Sequence, residues 1–174
     1  DTGNRHSCAL LDNQSIVCWG RNDNGQLGDG TTKSSNVPVV VSGISNAIKI
    51  GLGSYHTCAV LDNKSVKCWG RNEYGQLGNG ITGGSNSIPV IVSGISNATK
   101  ITNGYRHVCA ILDNKSVQCW GRNNQGQLGD GTFVDRNVPI TVTGVTNVVE
   151  IAPGYRHTCA LLDNDTVQCW GQNN

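Results

Sequence analysis

Short apolar stretches rich in Val, Ile and Ala run the length of the chain, broken every few positions by Asn, Asp, Ser, Thr and Gly. No segment carries the 3.6-residue spacing of an amphipathic helix, and the stretches have the length of strands. In the segment from His6 to Gly20 (HSCALLDNQSIVCWG), apolar and β-branched residues flank Asp12-Asn13, a hairpin signal. Pro38-Val39-Val40-Val41 is too short and too β-branched for a helix and ends at Ser42-Gly43. Ala47-Ile48-Lys49-Ile50 alternates apolar and polar. Proline at the head of the third stretch suits the first residue of a strand, which owes no donor to a ladder.

The whole pattern repeats. HTCAVLDNKSVKCWG begins at His56, HVCAILDNKSVQCWG at His107 and HTCALLDNDTVQCWG at His157, and the leading cysteines Cys8, Cys58, Cys109 and Cys159 lie 50, 51 and 50 residues apart. Between them recur GQLG at Gly25, Gly75 and Gly126, and a Pro-led apolar run at Pro38, Pro89 and Pro139. About four short strands in a period of roughly fifty residues is the arithmetic of a propeller blade; β-helix periods are much shorter. The expected fold is all-β, a β-propeller of four-stranded blades in one repeat array over 1–174, with units near 1–50, 51–101, 102–151 and a partial unit 152–174. That amounts to about three and a half blades, a partial ring or arc.

The combination of G-x-x-H-x-C-A, C-W-G-x-N, G-Q-L-G-x-G and a Pro-led strand resembles the regulator of chromosome condensation repeat, in the cysteine-containing form found in secreted bacterial proteins. The resemblance covers essentially the whole chain. It implies a ring, usually of seven four-stranded blades, and members as different as a nucleotide exchange factor, a β-lactamase inhibitor and a plant ultraviolet photoreceptor, so it fixes architecture rather than activity. Measured against such a ring, the chain reads as the ordered part of a longer array, as an arc that associates with other copies (an extracellular filament subunit included), or as an arc standing alone.

The eight cysteines form pairs of identical spacing: Cys8/Cys18, Cys58/Cys68, Cys109/Cys119 and Cys159/Cys169. A turn near Asn13 sets Cys8 opposite Cys18, within disulfide reach. Four bridges inside four hairpins is the favoured reading, over free thiols and over zinc held by His6, Cys8 and Cys18, for which a fourth ligand is lacking. Disulfides imply an oxidising compartment, outside the cell or on its surface. With no Met anywhere, even at position 1, the chain reads as a processed product or a segment of something longer.

Charge excludes some functions. Charged residues make up 14%, the net charge is +1, and no Lys/Arg run tracks a nucleic-acid backbone. No apolar stretch is long enough to span a bilayer as a helix. Of the twelve carboxylates, Asp12, Asp62, Asp113 and Asp163 repeat at the hairpin turns, so no asymmetric acid–base set stands out. No catalytic residue, cofactor or metal site is expected, and the chain is read as a non-enzyme. The four histidines read as structural, bonded to backbone at blade junctions, and the four tryptophans as packing between blades. GQLG reads as a turn around a buried Leu, since no Walker Lys-Ser/Thr follows.

Function is sought where the repeats differ. Tyr74, Phe133, Asp135 and Arg136 lie in the variable loops around GQLG and carry the interface-forming residue types. They mark a surface for a protein partner or neighbouring copies; the alternative is a carbohydrate-binding propeller using an exposed aromatic ring. Asn-x-Ser/Thr sequons at Asn13, Asn63, Asn97, Asn114 and Asn164 are possible sites for N-glycans, four of them at hairpin tips.

Overall fold

A computed structural model describes residues 1–173 and shows fourteen strands and, among the described residues, no helix. The strands form four antiparallel sheets. The first joins β1 (His6–Leu10), β2 (Ile16–Gly20) and β3 (Ser35–Val40). The second holds β4 (Ala47–Leu52), β5 (His56–Leu61), β6 (Val66–Arg71) and β7 (Ser85–Ile91) in that order. The third repeats it with β8 (Ala98–Asn103), β9 (His107–Leu112), β10 (Val117–Gly121) and β11 (Arg136–Thr141). The fourth holds β12 (Val148–Pro153), β13 (His157–Leu162) and β14 (Val167–Gly171). Two complete blades flanked by two three-stranded ones make three and a half, with β4, β8 and β12 side by side as the innermost strands.

The sheets are out of phase with the sequence units by one strand. β4 ends the unit 1–50 but pairs with β5, so Ile50 faces Ala59 across the ladder. Proline, too, sits elsewhere than the apolar runs suggest. The outer strands start three or more residues upstream, at Ser35, Ser85 and Arg136, so Pro38, Pro89 and Pro139 fall inside them. There the register with the neighbouring strand slips, between Cys18 and Gly20 in the first sheet. An edge strand at a bulge is one of the few strand interiors that tolerate a missing N–H.

Each hairpin is closed by Leu-Asp-Asn-x-Ser/Thr, with a bond from the Lys64 N–H to Leu61 C=O and the residue x left-handed (φ near 60° at Gln14, Lys64, Lys115 and Asp165). That turn sets the register. Cys8 pairs directly with Cys18, and the same holds for the other three pairs, whose Cα atoms lie 4.1 to 4.2 Å apart and whose sulfurs are bonded. Sulfur committed to sulfur leaves no thiolate for zinc, which removes that alternative.

The alternation of side chains along these hairpins builds three equivalent seams. The cysteine-bearing face of one blade meets the tryptophan-bearing face of the next. Cys58, Val60, Val66, Cys68 and Leu77 pack on Val108, Ala110, Leu112 and Trp120 in the middle seam. Cys8, Ile16, Cys18 and Leu27 meet Ala59, Leu61 and Trp69 in the first, and Cys109, Ile111, Val117 and Leu128 meet Ala160, Leu162 and Trp170 in the last. The GQLG turn is the socket for the ring. A Cβ on Gly28 (φ 73°) would lie 2.7 Å from Trp69 Nε1, so both its conformation and its contact demand glycine.

Candidate functional site

The histidines that open the first three hairpins, His6, His56 and His107, are buried in the seams, whereas His157 is exposed on the open face of the last blade. His6 Nε2 lies 2.8 Å from the Thr57 hydroxyl, which donates to Gln26 C=O; Trp69 Nε1 donates to the same carbonyl at 2.9 Å. Because Thr57 gives its proton to Gln26, the imidazole is the donor to Thr57. His107, Thr158, Gln127 and Trp170 repeat the chain in the last seam. The partner is thus a hydroxyl of the next blade, where the sequence suggested backbone. The middle seam differs. Val108 stands where Thr57 and Thr158 stand elsewhere, and both ring nitrogens of the fully buried His56 lack a partner. Burial pulls His6 down to about 4, and His56 and His107 down to about 3, with neighbouring histidines adding to the fall in the latter two. These are neutral, structural imidazoles with no carboxylate to make them catalytic.

At the same end of the strands, outside the seams, aromatic rings and arginines collect. The connections β4–β5, β8–β9 and β12–β13 bring Tyr55, Tyr105 and Tyr155 to this end, together with Arg106 and Arg156. The residues after β2 and β10, and the last of β6, bring Arg21, Arg122 and Arg71. Tyr105 stacks on Tyr155 with centroids 4.1 Å apart, and Tyr55 meets Tyr105 edge-on at 6.4 Å. The guanidiniums of Arg106 and Arg122 lie 4.9 and 4.8 Å from the Tyr74 ring centre, and the Tyr74 hydroxyl accepts from Arg106 at 2.6 Å. Arg106 also covers Tyr105 at 4.9 Å, and Arg156 covers Tyr155 at 5.2 Å. Burial alone raises the Tyr105 hydroxyl, but the bond with Tyr155 and the charges of Arg106 and Arg71 outweigh it and hold it below the usual phenol range.

The four residues singled out from the variable loops separate in the structure. Tyr74 joins the arginine cluster. Phe133 is 73% exposed at the outer rim, over Gly126. Asp135 accepts from the Asn123 N–H at 2.6 Å, and Arg136 pairs with Asp130 at 2.8 Å, so both are engaged in shaping their own loop. Asn123 is the hub of that loop, its buried amide bonded to Asp130, Thr132 C=O, Val134 C=O and the Leu128 N–H. Asp135 and Glu150 share no pocket with a histidine, Glu150 being paired with Lys100. Sequence reasoning passed over Tyr105, Arg106, Arg122, Tyr155 and Arg156, because G-Y-R-H reads as repeat grammar; the signal was that Gly-Ser-Tyr-His and Gly-Asn-Arg-His depart from it.

The sequons fall into two kinds. Asn13, Asn63, Asn114 and Asn164 are exposed at hairpin tips, each Oδ1 accepting from the Ser or Thr two residues on. Asn97 is half-buried and donates to Asp113. Among the described residues no group of His, Cys, Asp and Glu is placed to hold a metal ion, and no helix is long and apolar enough to cross a membrane.

Comparison with known proteins agrees with this architecture. The signature of the regulator of chromosome condensation (RCC1) repeat matches residues 15–60, 65–111 and 116–161. The chain is 32% identical over 137 residues to the ultraviolet-B receptor UVR8 of Arabidopsis thaliana, covering 76% of this chain and 31% of the receptor. It superposes on human WBSCR16 with a TM-score of 0.87 at 23% identity, over 99% of this chain and 46% of that one. On yeast RCC1 bound to Kap60 the TM-score is 0.85 at 20% identity, over 97% and 42%. The chain therefore spans under half the length of each of these proteins, and the likeness to the two solved structures is one of fold. With three matched repeats covering most of its length, the chain belongs to the regulator of chromosome condensation repeat family.

Proposed function

We propose that the chain serves as a protein-interaction scaffold in an oxidising, extracellular or cell-surface compartment, and that it meets its partner with the tyrosine–arginine end. The observation that carries this reading is the Arg106–Tyr74–Arg122 cluster: an aromatic ring with two guanidiniums against it, neither of them in an ion pair among the described residues, made of the residue types that dominate binding hot spots. Four disulfides support the compartment. The solved complex of yeast RCC1 with Kap60 supports a protein as the kind of partner.

A sugar-stacking role needs an open ring face. Trp69 and Trp120 are fully buried, and Tyr55, Tyr74 and Tyr105 are in contact with guanidiniums or with one another, which leaves Phe133 and Tyr155, 73% and 55% exposed, as the rings that alternative would have to use. Stacking of copies end to end is opposed by charge. Lys64 reaches Asp113 and Lys115 reaches Asp163 across two seams, but Asp165 holds the same place in the last hairpin and would face Asp12 of an added copy. Should the protein be glycosylated, the four hairpin-tip asparagines are the fitting sites, at the end opposite the arginines; a glycan on Asn97 would sit on the half-buried nitrogen that donates to Asp113.

A photo-crosslinker at exposed Asn124, beside Arg122, tests the reading. It should capture a discrete protein from the native extracellular fraction, and the same group at Asn63 on the opposite end should not. Equal capture at both positions, or none at Asn124, would end it.

A further inference from the structure

We infer that Arg106 and Arg122, held on Tyr74, form a carboxylate-binding site for an extended acidic protein segment, a reading that rests on the interaction role proposed above. The repeats themselves show what these arginines take. Arg21 pairs with Asp23 at 2.5 Å, and Arg71 pairs with Glu73, each partner two residues further on. In the third repeat the position two residues after Arg122 is Asn124, and among the described residues Arg122 has no ion pair. The internal carboxylate that answers this arginine twice is replaced once by a neutral amide, at the one repeat where a tyrosine from the preceding blade lies under the guanidinium.

The electrostatics favour an incoming anion. Arg106, Arg122 and Arg156 are half-buried, and the Nε of each is screened from water without an acceptor. A guanidinium partly removed from water over an aromatic face attracts a carboxylate more strongly than an exposed lysine does. Contact with the rings, and for Arg106 the bond to the Tyr74 hydroxyl, restrains both side chains, so less freedom remains to be lost on binding. The Tyr105–Tyr155 stack then leads on to Arg156, which gives an extended chain a further charge to meet.

A nucleic acid fits this surface less well. Single strands bind by laying bases on free aromatic faces. Here two guanidiniums lie 4.8 and 4.9 Å from the Tyr74 ring centre, and Tyr105 is in contact with both Arg106 and Tyr155, so neither ring stands free. What is offered outward is guanidinium, whose planar fork matches carboxylates.

The test is titration of a fluorescein-labelled peptide of alternating Asp, Glu and Gly into the full chain at low salt, followed by anisotropy. Parallel titrations use single-stranded DNA and heparin. The peptide should bind, more weakly as salt rises. Arg122→Gln should weaken it about tenfold. Asn124→Asp, which restores the internal partner, should weaken it roughly threefold or more while leaving the melting temperature unchanged or higher. Glu73→Gln, which frees Arg71, should tighten it. Absence of peptide binding, indifference to Arg122→Gln and Asn124→Asp in a folded protein, or tighter binding of DNA or heparin would overturn the inference. If that happens while the Asn124 crosslinker still captures its protein, the interaction role stands and only the acidic chemistry falls; if both fail, the role falls as well.

Discussion

The seams between blades and the tyrosine–arginine end are built from the same repeats and obey opposite rules. In the seams the repeats agree: Leu27, Leu77 and Leu128 are fully buried, and Trp69, Trp120 and Trp170 each donate to the carbonyl of the preceding glutamine. Every such residue is answered by another in the adjoining blade. A few residues away the repeats disagree, and arginines remain whose charge is answered only by rings. Repetition serves cohesion, since a blade must fit the next one wherever it falls in the array. Departure from repetition is where a surface acquires a single address.

The largest test of that contrast lies in the middle seam. Trp120→Ala empties a socket shaped by Gly78 and removes a bond to Gln76 C=O, and should cost about 3–5 kcal/mol. A fall in the denaturant midpoint of a two-state melt checks it. Trp170→Ala should cost less, because that ring is only half-buried. Equal losses would mean that ring burial does not set the strength of a seam.

The disulfides come next. Each closes a separation of 10 residues, for which chain entropy gives at most ~3 kcal/mol, and less because the hairpin already restrains the loop. Accessibility divides them. Cys58, Cys68, Cys109 and Cys119 are fully buried, whereas Cys169 is exposed and Cys159 half-buried. Timed alkylation under mild reductant should label Cys159 and Cys169 first, with the two central bridges opening only as the protein unfolds. Simultaneous labelling of all eight would break the distinction between a central seam and an open face.

Much of this was legible because it is local and repeated. The Asp-Asn turns fixed hairpin register and thereby the cysteine pairing, and the period fixed the blade. Sheet membership was less legible: the alternation in Ala47-Ile48-Lys49-Ile50 marks a strand, but only the closing of the ladder on Ala59 shows which blade it serves. Pro38 hid a strand start three residues upstream, since an edge strand at a bulge needs no apolar signature. The binding end was the least legible. Tyr74 meets Arg106 32 residues away and from another blade, a proximity that residue type alone does not announce. Asp135 and Arg136 carried the right chemistry but are engaged within their own loop.

The smallest change is the most pointed, because it concerns the one place where a seam breaks its own rule. Val108→Thr would give His56 the hydroxyl that His6 and His107 already have, and relieve a buried imidazole whose two nitrogens are unmatched. The side chains are nearly equal in volume, and Thr57 shows that the new hydroxyl can donate to a carbonyl already shared with a tryptophan. A gain of about 1 kcal/mol at neutral pH is expected. The acid limb gives a second reading of the same site. His6, His56 and His107 titrate near 6.5 when unfolded but are held down to about 4, 3 and 3 in the fold, so between those values the unfolded chain binds more protons. Stability is therefore full above pH 6.5 and drains away as pH falls toward 3. Val108→Thr should lift the melting temperature across that window without removing the slope, since His56 stays buried and uncharged with or without a partner. A variant that flattens the slope would show that His56, once given a hydroxyl partner, takes up a proton in the folded protein, so that burial in the middle seam is not enough to keep it neutral.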